Sequence, residues 1–323
     1  MRNYDPSLWT YGHELEIGDA PRYIHPPGEL GAWEYSETCS INRRAPYAGI
    51  ASDPLGLDPP AGGEINTVPT LGWRDQVDRV LRIVDFYRDQ GHPPTISCVN
   101  DSHVHVHVPG LREDIEALKR IVSYIKANQH DAIRYVHRFE YRETMRGSPS
   151  AVRYLKLGGG TPMPDWMADN IVNKAQSFKD FYQLHCRGKA GDLKDRPVMP
   201  IRHAINLYCL KHINTIEFRI FRATLDRDQL ESCYRFAEAF LDAALNGGPS
   251  VKEILGIRNR EATLDIQGLL SGEGVEKESP DPSWNFPKLV WEPEIYSQWE
   301  ATKWPKVRGK KLRKFIEVPQ GNL

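Results

Sequence analysis

The sequence predicts an α+β protein, and three observations carry that expectation. Four short segments alternate strictly between apolar and polar side chains, the two-residue period of a strand with unlike faces. Between and after them, longer segments repeat apolar residues at helical spacing. The connecting text is dense in proline and glycine, which end elements and do not extend them.

Taken in order, Tyr11 to Gly18 reads as a strand with Gly12, Glu14 and Glu16 on one face and Tyr11, His13, Leu15 and Ile17 on the other. Residues 20–63 read as loops and edge strands, with short strands near Ala32 to Cys39 and Tyr47 to Ser52. Gly63 to Val68 is a third acidic strand in which Glu64 and Asn66 share a face, and Pro69 ends it. Trp73, Val77, Val80, Leu81 and Val84 then predict a helix to about Asp89, stopped by Gly91. His103 to Val108 sets three imidazoles against three valines, and Leu111, Ile115, Leu118, Val122 and Ile125 mark the next helix.

Asp131 to Arg153 is dense in arginine, including Arg146, and reads as helix followed by loop. Gly158 to Gly160 reads as a turn, since a glycine triplet without a phosphate-loop context is weak evidence for phosphate binding. Asp165 to Tyr182 is expected to be helical and Gly188 to Pro200 a polar loop. Arg202 to Leu210 is expected to pair as a hairpin with Thr215 to Phe221, where Thr215, Glu217 and Arg219 oppose Ile216, Phe218 and Ile220. Asp226 with Gln229 resembles a capping box opening a helix whose stripe runs through Leu230, Tyr234, Ala237, Leu241, Ala244 and Leu245 to Gly247.

Composition narrows the function classes. Hydrophobic residues at 40% and charged residues at 26% are ordinary for a globular chain of 323 residues. Forty-two basic against 43 acidic residues give −1, so there is no global basic field for nucleic acid. The five scattered cysteines contain no CxxC, which argues against a disulfide framework and a structural zinc site and fits a reducing, cytoplasmic setting. No stretch approaches the roughly 20 apolar residues that span a bilayer, so no membrane partner is expected. The tail has Trp284, Trp291, Trp299 and Trp304, then seven Lys or Arg between Lys303 and Lys314. Such a tail either stacks on single-stranded nucleic acid or packs its tryptophans on the body and exposes its lysines.

If the valine and isoleucine faces pack on the same helices, Glu14, Glu16, Glu64, His103, His105, His107, Glu217 and Arg219 line one common hollow. Buried carboxylates cost several kcal/mol each when uncompensated, against roughly 5 to 15 kcal/mol for a whole domain, so a positive occupant is expected. An oxygen-rich set with imidazole suits Mg2+ or Mn2+, which bring substrate phosphates with them. Arg219 beside those acids suits a phosphate oxygen, and Asn206 and Arg202 are further candidates. The bland alternative is a sheet exposed on one side, its polar face merely solvated.

These segments, in this order, resemble the amidoligase family, relatives of glutamine synthetase and glutamate–cysteine ligase. The likeness rests on Gly12-His13-Glu14-Leu15-Glu16, on Glu64-Ile65-Asn66-Thr67-Val68-Pro69, and on His105-Val106-His107-Val108. It is completed by Ala204-Ile205-Asn206-Leu207 followed by Thr215 to Phe221 and Thr224-Leu225-Asp226. It covers roughly Tyr11 to Asn246. Cys98 to Ser102 departs from the family's glycine-rich turn, and the chain after Gly248 matches nothing in the family.

The resemblance implies a glutamine-synthetase-like curved, mainly antiparallel sheet with helices on the convex face, in a catalytic domain over 1–250 and a basic, Trp- and Pro-rich extension over 251–323. It implies an ATP- and Mg2+-dependent (or Mn2+-dependent) carboxylate–amine ligase acting through an acyl phosphate on a small-molecule or peptide carboxylate and an amine. Glu16 and Glu64 would hold one metal, and Glu14, Glu217 and one of His105 and His107 the other. Arg219 would meet the transferring phosphoryl group; Glu64 and Arg202 join it in catalysis, Asn206 and Arg146 in nucleotide binding. A metal-dependent amide hydrolase is the rival enzyme, because His-x-His with carboxylates also activates water; a nucleic-acid-binding or assembly protein using the tail is the rival outside enzymes.

Overall fold

Strands whose faces differ this sharply are satisfied only side by side, and the computed structural model sets them so. It describes residues 3–18, 20, 24–33, 62–96, 101–136, 162–186, 203–257 and 280–287. Among these residues seven strands make one sheet with every pairing antiparallel: β1 (Thr10–Gly18), β2 (Gly31–Trp33), β3 (Gly62–Thr67), β4 (Thr70–Leu71), β5 (Asp101–His107), β6 (Ile205–Asn206) and β7 (Ile216–Arg222). The order is β2-β3-β1-β5-β7-β6, with β4 beside the start of β1. The four acid- or histidine-bearing strands are therefore consecutive neighbours, and register puts their polar residues in rows. Glu16 faces Glu64; Glu14 faces Asn66 on one side and His103 on the other; His105 lies between Gly12 and Glu217, and Asn206 opposes Glu217. A one-residue slip in any strand would throw its polar set into the apolar layer, so burial on both faces pins the register.

One irregularity matters. Ser102 pairs with Phe221 and Val104 with Phe218, leaving one residue of β5 (His103) against two of β7 (Arg219 and Ile220), which is a bulge in β7. Phe221, and not Ile220 as strict alternation predicts, takes the next apolar pairing. It lies 6.3 Å from Phe218 and 6.3 Å edge-on from Phe236.

Among the described residues seven α-helices accompany the sheet. Helix α1 (Trp73–Asp89) runs as the apolar spacing predicts, buries Val77, Val80, Ile83, Val84 and Tyr87, and ends before Gly91 at φ 80°. Helix α2 (Ile115–Val136) joins the stripe that starts at Leu111 to the arginine-rich stretch, one helix where two segments were expected. The region from Asp165 divides into α3 (Asp165–Lys174) and α4 (Phe178–Cys186). The expected long strand from Arg202 to Leu210 is only β6 followed by one helical turn, α5 (Cys209–His212). The cause is Asn206, whose Oδ1 accepts the Tyr208 N–H at 2.8 Å and turns the chain, the local bonding that makes asparagine a poor strand residue. Asn214, at φ 58°, then directs the backbone into β7.

Helix α6 (Arg227–Asn246) is capped as expected by Asp226, whose carboxylate accepts the Gln229 N–H at 3.0 Å, and closed by left-handed Gly247. The reciprocal half of the capping box is absent, because Gln229 Oε1 accepts from the Thr224 hydroxyl at 2.6 Å. Its Phe236 and Phe240 pack on the sheet, Phe240 edge-on to Phe218 at 5.6 Å. A short α7 (Val251–Ile254) follows. Residues 280–287 return to α6: Trp284 and Phe286 stack on one another and meet Phe236, while Ser232 Oγ accepts the Asn285 N–H at 3.0 Å. Among the described residues no helix is long and apolar enough to cross a membrane. The Trp and Lys tail beyond 287 and the expected strand over Tyr47 to Ser52 lie outside them.

Candidate metal centre

The centre is assembled from one side chain of each central strand. Glu14 of β1 accepts from both β5 histidines: Oε2 from His103 Nδ1 at 2.5 Å and Oε1 from His105 Nε2 at 2.9 Å. Glu217 of β7 lies beside them, its Oε1 3.3 Å from His103 Nδ1 and also bonded by Arg219 Nη1. Its other oxygen, Oε2, accepts from Asn206 Nδ2 at 2.5 Å and from Cys209 Sγ at 3.2 Å. Gly12, opposite His105, adds no side chain to this row. Ligand atoms of Glu14, His105 and Glu217 all fall within 4.8 Å of one another, close enough to share an ion. Glu217 is 2% exposed, Glu16 1% and Glu64 8%, whereas the Glu14 side chain is 22% exposed and forms the accessible rim.

Charge is balanced inside this wall. Burial pushes the Glu14 carboxyl up, but the His105 charge and the hydrogen bonds from His103 and His105 outweigh it and hold Glu14 well below the usual carboxylate range. Burial likewise pulls His105 down, and Glu14 more than reverses it, so His105 stays protonated above its ordinary 6.5. Glu217 is raised by burial and by Glu14 but lowered further by Arg219 and the imidazoles, and it stays ionised. Cys209 is pushed far up by burial and Glu217, which keeps it a thiol that donates to the carboxylate. The His105 imidazole and the Arg219 guanidinium thus stand against these acids as neighbouring positive groups.

The placement of the remaining candidates differs. Glu16 and Glu64 are direct cross-strand partners one row away, on the same face. His107 stands apart from the three-ligand cluster, with Nδ1 donating to the Asn214 carbonyl at 2.8 Å, while His105 Nδ1 meets the Thr215 hydroxyl at 3.0 Å. Arg202, Arg146 and the Gly158 to Gly160 turn lie outside the described residues. One member was not anticipated. Cys209 carried no signal among scattered cysteines, although its position three residues after Asn206 brings both onto Glu217. His103 is oriented by Glu14 through Nδ1, and its Nε2 is buried with no hydrogen-bond partner. A carboxylate holding one ring nitrogen while the other stays open is how metal-bound histidines are oriented.

On the opposite face, His13 is buried against α6, its Nδ1 2.7 Å from the Tyr234 hydroxyl and Nε2 3.2 Å from Ser102 Oγ. Burial, reinforced by His103 and His105, lowers it to about 3, so it stays neutral and structural.

A cation fits this donor set. Two carboxylates and an imidazole suit a hard or borderline divalent ion. Comparison with protein-family models, with curated proteins and with solved structures returned no match.

Proposed function

We propose that the chain is an ATP- and Mg2+-dependent carboxylate–amine ligase working at the Glu14, His105 and Glu217 centre. The observation that carries this reading is the meeting of those three ligand groups with Arg219 on one buried sheet face, from strands whose segments resemble the amidoligase motifs. Glu14, His105 and Glu217 would hold one divalent ion, and Glu16 with Glu64 a second. Such ions would supply cancellation of the negative charge that spreads over a transferring phosphoryl group.

The protein's own part is positioning. Asn206 and Cys209 both donate to Glu217 Oε2, which fixes the carboxylate plane. Arg219 sits on Oε1 with a fork of donors, so it can retain Glu217 while another N–H meets a phosphate oxygen. His103 and His105 orient Glu14 at the rim, where the two substrates enter. Phosphoryl transfer to a carboxylate asks mainly for this alignment and charge compensation, and the amine then displaces phosphate to form the amide.

The test is ADP and phosphate release with Mg2+ across pairs of carboxylates and amines. Release that requires both partners, and that Glu217→Gln abolishes while the circular dichroism spectrum is kept, is the expected result. Amide cleavage without ATP would establish the hydrolase reading instead.

A further inference from the structure

Register sorts the polar face of the sheet into rows that cross the strands, two residues and about 7 Å apart. Glu16 with Glu64 forms one end. The next row holds Asn66, Glu14 and His103, and the one after it Gly12, His105, Glu217 and Asn206. The last is Leu71, Thr10 and His107. Because β1 and β7 run in the same direction, Arg219 lies from Glu217 towards the acidic end. Polarity therefore falls along β1, from two buried acids to a row with no carboxylate, guanidinium or ammonium group.

That last row ends in exposed apolar side chains. Leu71 opposes Thr10, so it stands on the face of the centre, and it is 60% exposed. Leu8, two residues before Thr10, and Ile213, next to the Asn214 whose carbonyl accepts from His107, are each 58% exposed. With Val68, on the link from β3 to β4, these are four of the five large hydrophobic side chains exposed among the described residues. Apolar groups left in water beside a polar site mark a place for the apolar part of a ligand.

Gly12 lies between this rim and the centre. A Cβ there would meet only the His105 Cβ, at 3.7 Å, and the residue is not among the glycines of positive φ, so neither packing nor backbone calls for glycine. Glycine weakens a strand interior, and one that the fold does not require marks close approach of a ligand. Its missing side chain leaves a trough in the sheet face between the Glu14 rim and Leu71.

We propose, resting on the ligase reading, that the carboxylate substrate is amphipathic: its acid end meets the ions and Arg219, and its apolar chain or ring lies over Gly12 against Leu71. Gly12 sets the room and Leu71 the wall, with Leu8 and Ile213 at the outer rim. The opposite orientation would set the acid against Leu71 and the apolar chain against Glu16 and Glu64.

Calorimetric titration with linear alkanoates from propanoate to hexanoate, in saturating Mg2+, tests this. Each added methylene should tighten binding to the wild type about fourfold until the trough is full. Leu71→Ser, at an exposed position, should flatten the series, and Gly12→Val should weaken the longer acids to the level of propanoate. Should Gly12→Val lose its circular dichroism spectrum, Gly12→Ala, whose methyl the strand has room for, replaces it. No chain-length dependence in the wild type, or one that either variant keeps, overturns the proposal. So does self-association of the wild type that Leu71→Ser abolishes without any such dependence, which would give the rim to a second copy of the chain. ADP release decides the ligase reading separately: chain-length dependence without ADP release removes the ligase and keeps the site for an apolar acid, whereas ADP release without that dependence removes the trough alone.

Discussion

Replacing Glu14 by glutamine probes the charge balance of the centre most directly. The carboxylate accepts two hydrogen bonds from imidazoles, at 2.5 and 2.9 Å, with its side chain 22% exposed. Charge-assisted bonds of this kind contribute about 1.5–3 kcal/mol each. Glutamine preserves the shape and one acceptor, so one bond survives in weakened form and the amide nitrogen faces an imidazole that also donates. The expected loss is about 2–3 kcal/mol at pH 5.5 in the absence of metal. The sign with pH follows from the two shifts. His105 is raised above 6.5, so its contribution is whole below 6.5 and disappears as pH climbs through the folded value. Glu14 is depressed below 4.5, so its contribution is present above 4.5 and disappears as pH falls through the folded value. The pair is worth most between about 4.5 and 6.5, and Glu14→Gln should cost distinctly less at pH 9. Urea unfolding of both proteins at the two pH values, with chelator present, measures it. An equal loss at both, or a glutamine variant that is the more stable at pH 5.5, would refute an imidazolium held by Glu14.

Two further outcomes are accessible by simple measurement. Mn2+ affinity, followed by calorimetry, should rise about tenfold per pH unit and level off above the raised value of His105, because one proton leaves as the ion binds; a flat profile would remove His105 from the ligand set. Gly31→Ala would put a Cβ 2.7 Å from the Asn66 carbonyl oxygen, on backbone that cannot yield, so β2 should unpair from β3 at a cost of about 1–3 kcal/mol in urea; unchanged stability would mean that β2 does not pair in this register.

The two-residue period made the sheet faces readable, because a strand buried on both sides must separate Glu14 from Leu15 and His105 from Val104. The helix spacing did the same for α1 and α6, whose apolar residues recur at 3.6 and whose ends are marked by Gly91 and Gly247. What failed was decided by side-chain hydrogen bonds, which have no period. Asn206 cuts the strand after two residues by capping its own turn, and a bulge after Phe218 moves Phe221 to the helix side. The choice among His103, His105 and His107 was likewise beyond alternation, since all three share a face. It turns on which carboxylate each ring can reach, hence on the strand order that places Glu14 beside His103 and His105, and on the Asn214 carbonyl that captures His107. Cys209 was invisible for the same reason, as a helical turn and not a motif delivers it to Glu217.

If the proposed ion binds here, the centre answers a problem that any carboxylate-rich metal site faces when no ion is bound. Glu14 and Glu217, brought this close in a buried wall, repel, and each raises the other's cost of ionisation. Here His105 Nε2 lies 2.9 Å from Glu14 Oε1, and ligand atoms of Glu14, His105 and Glu217 lie within 4.8 Å of one another. In the absence of metal His105 is the counter-charge; on the proposed reading a divalent ion would take that role and the imidazole, once neutral, would supply a lone pair. The same three side chains would therefore serve both states with little rearrangement, since Asn206, Cys209 and Arg219 hold Glu217 from the other side and His103 holds Glu14. Exchange of a proton for an ion within a fixed frame costs far less reorganisation than ordering loose carboxylates around an incoming cation. That difference is a physical reason for a strand of alternating histidines to stand between two acidic strands.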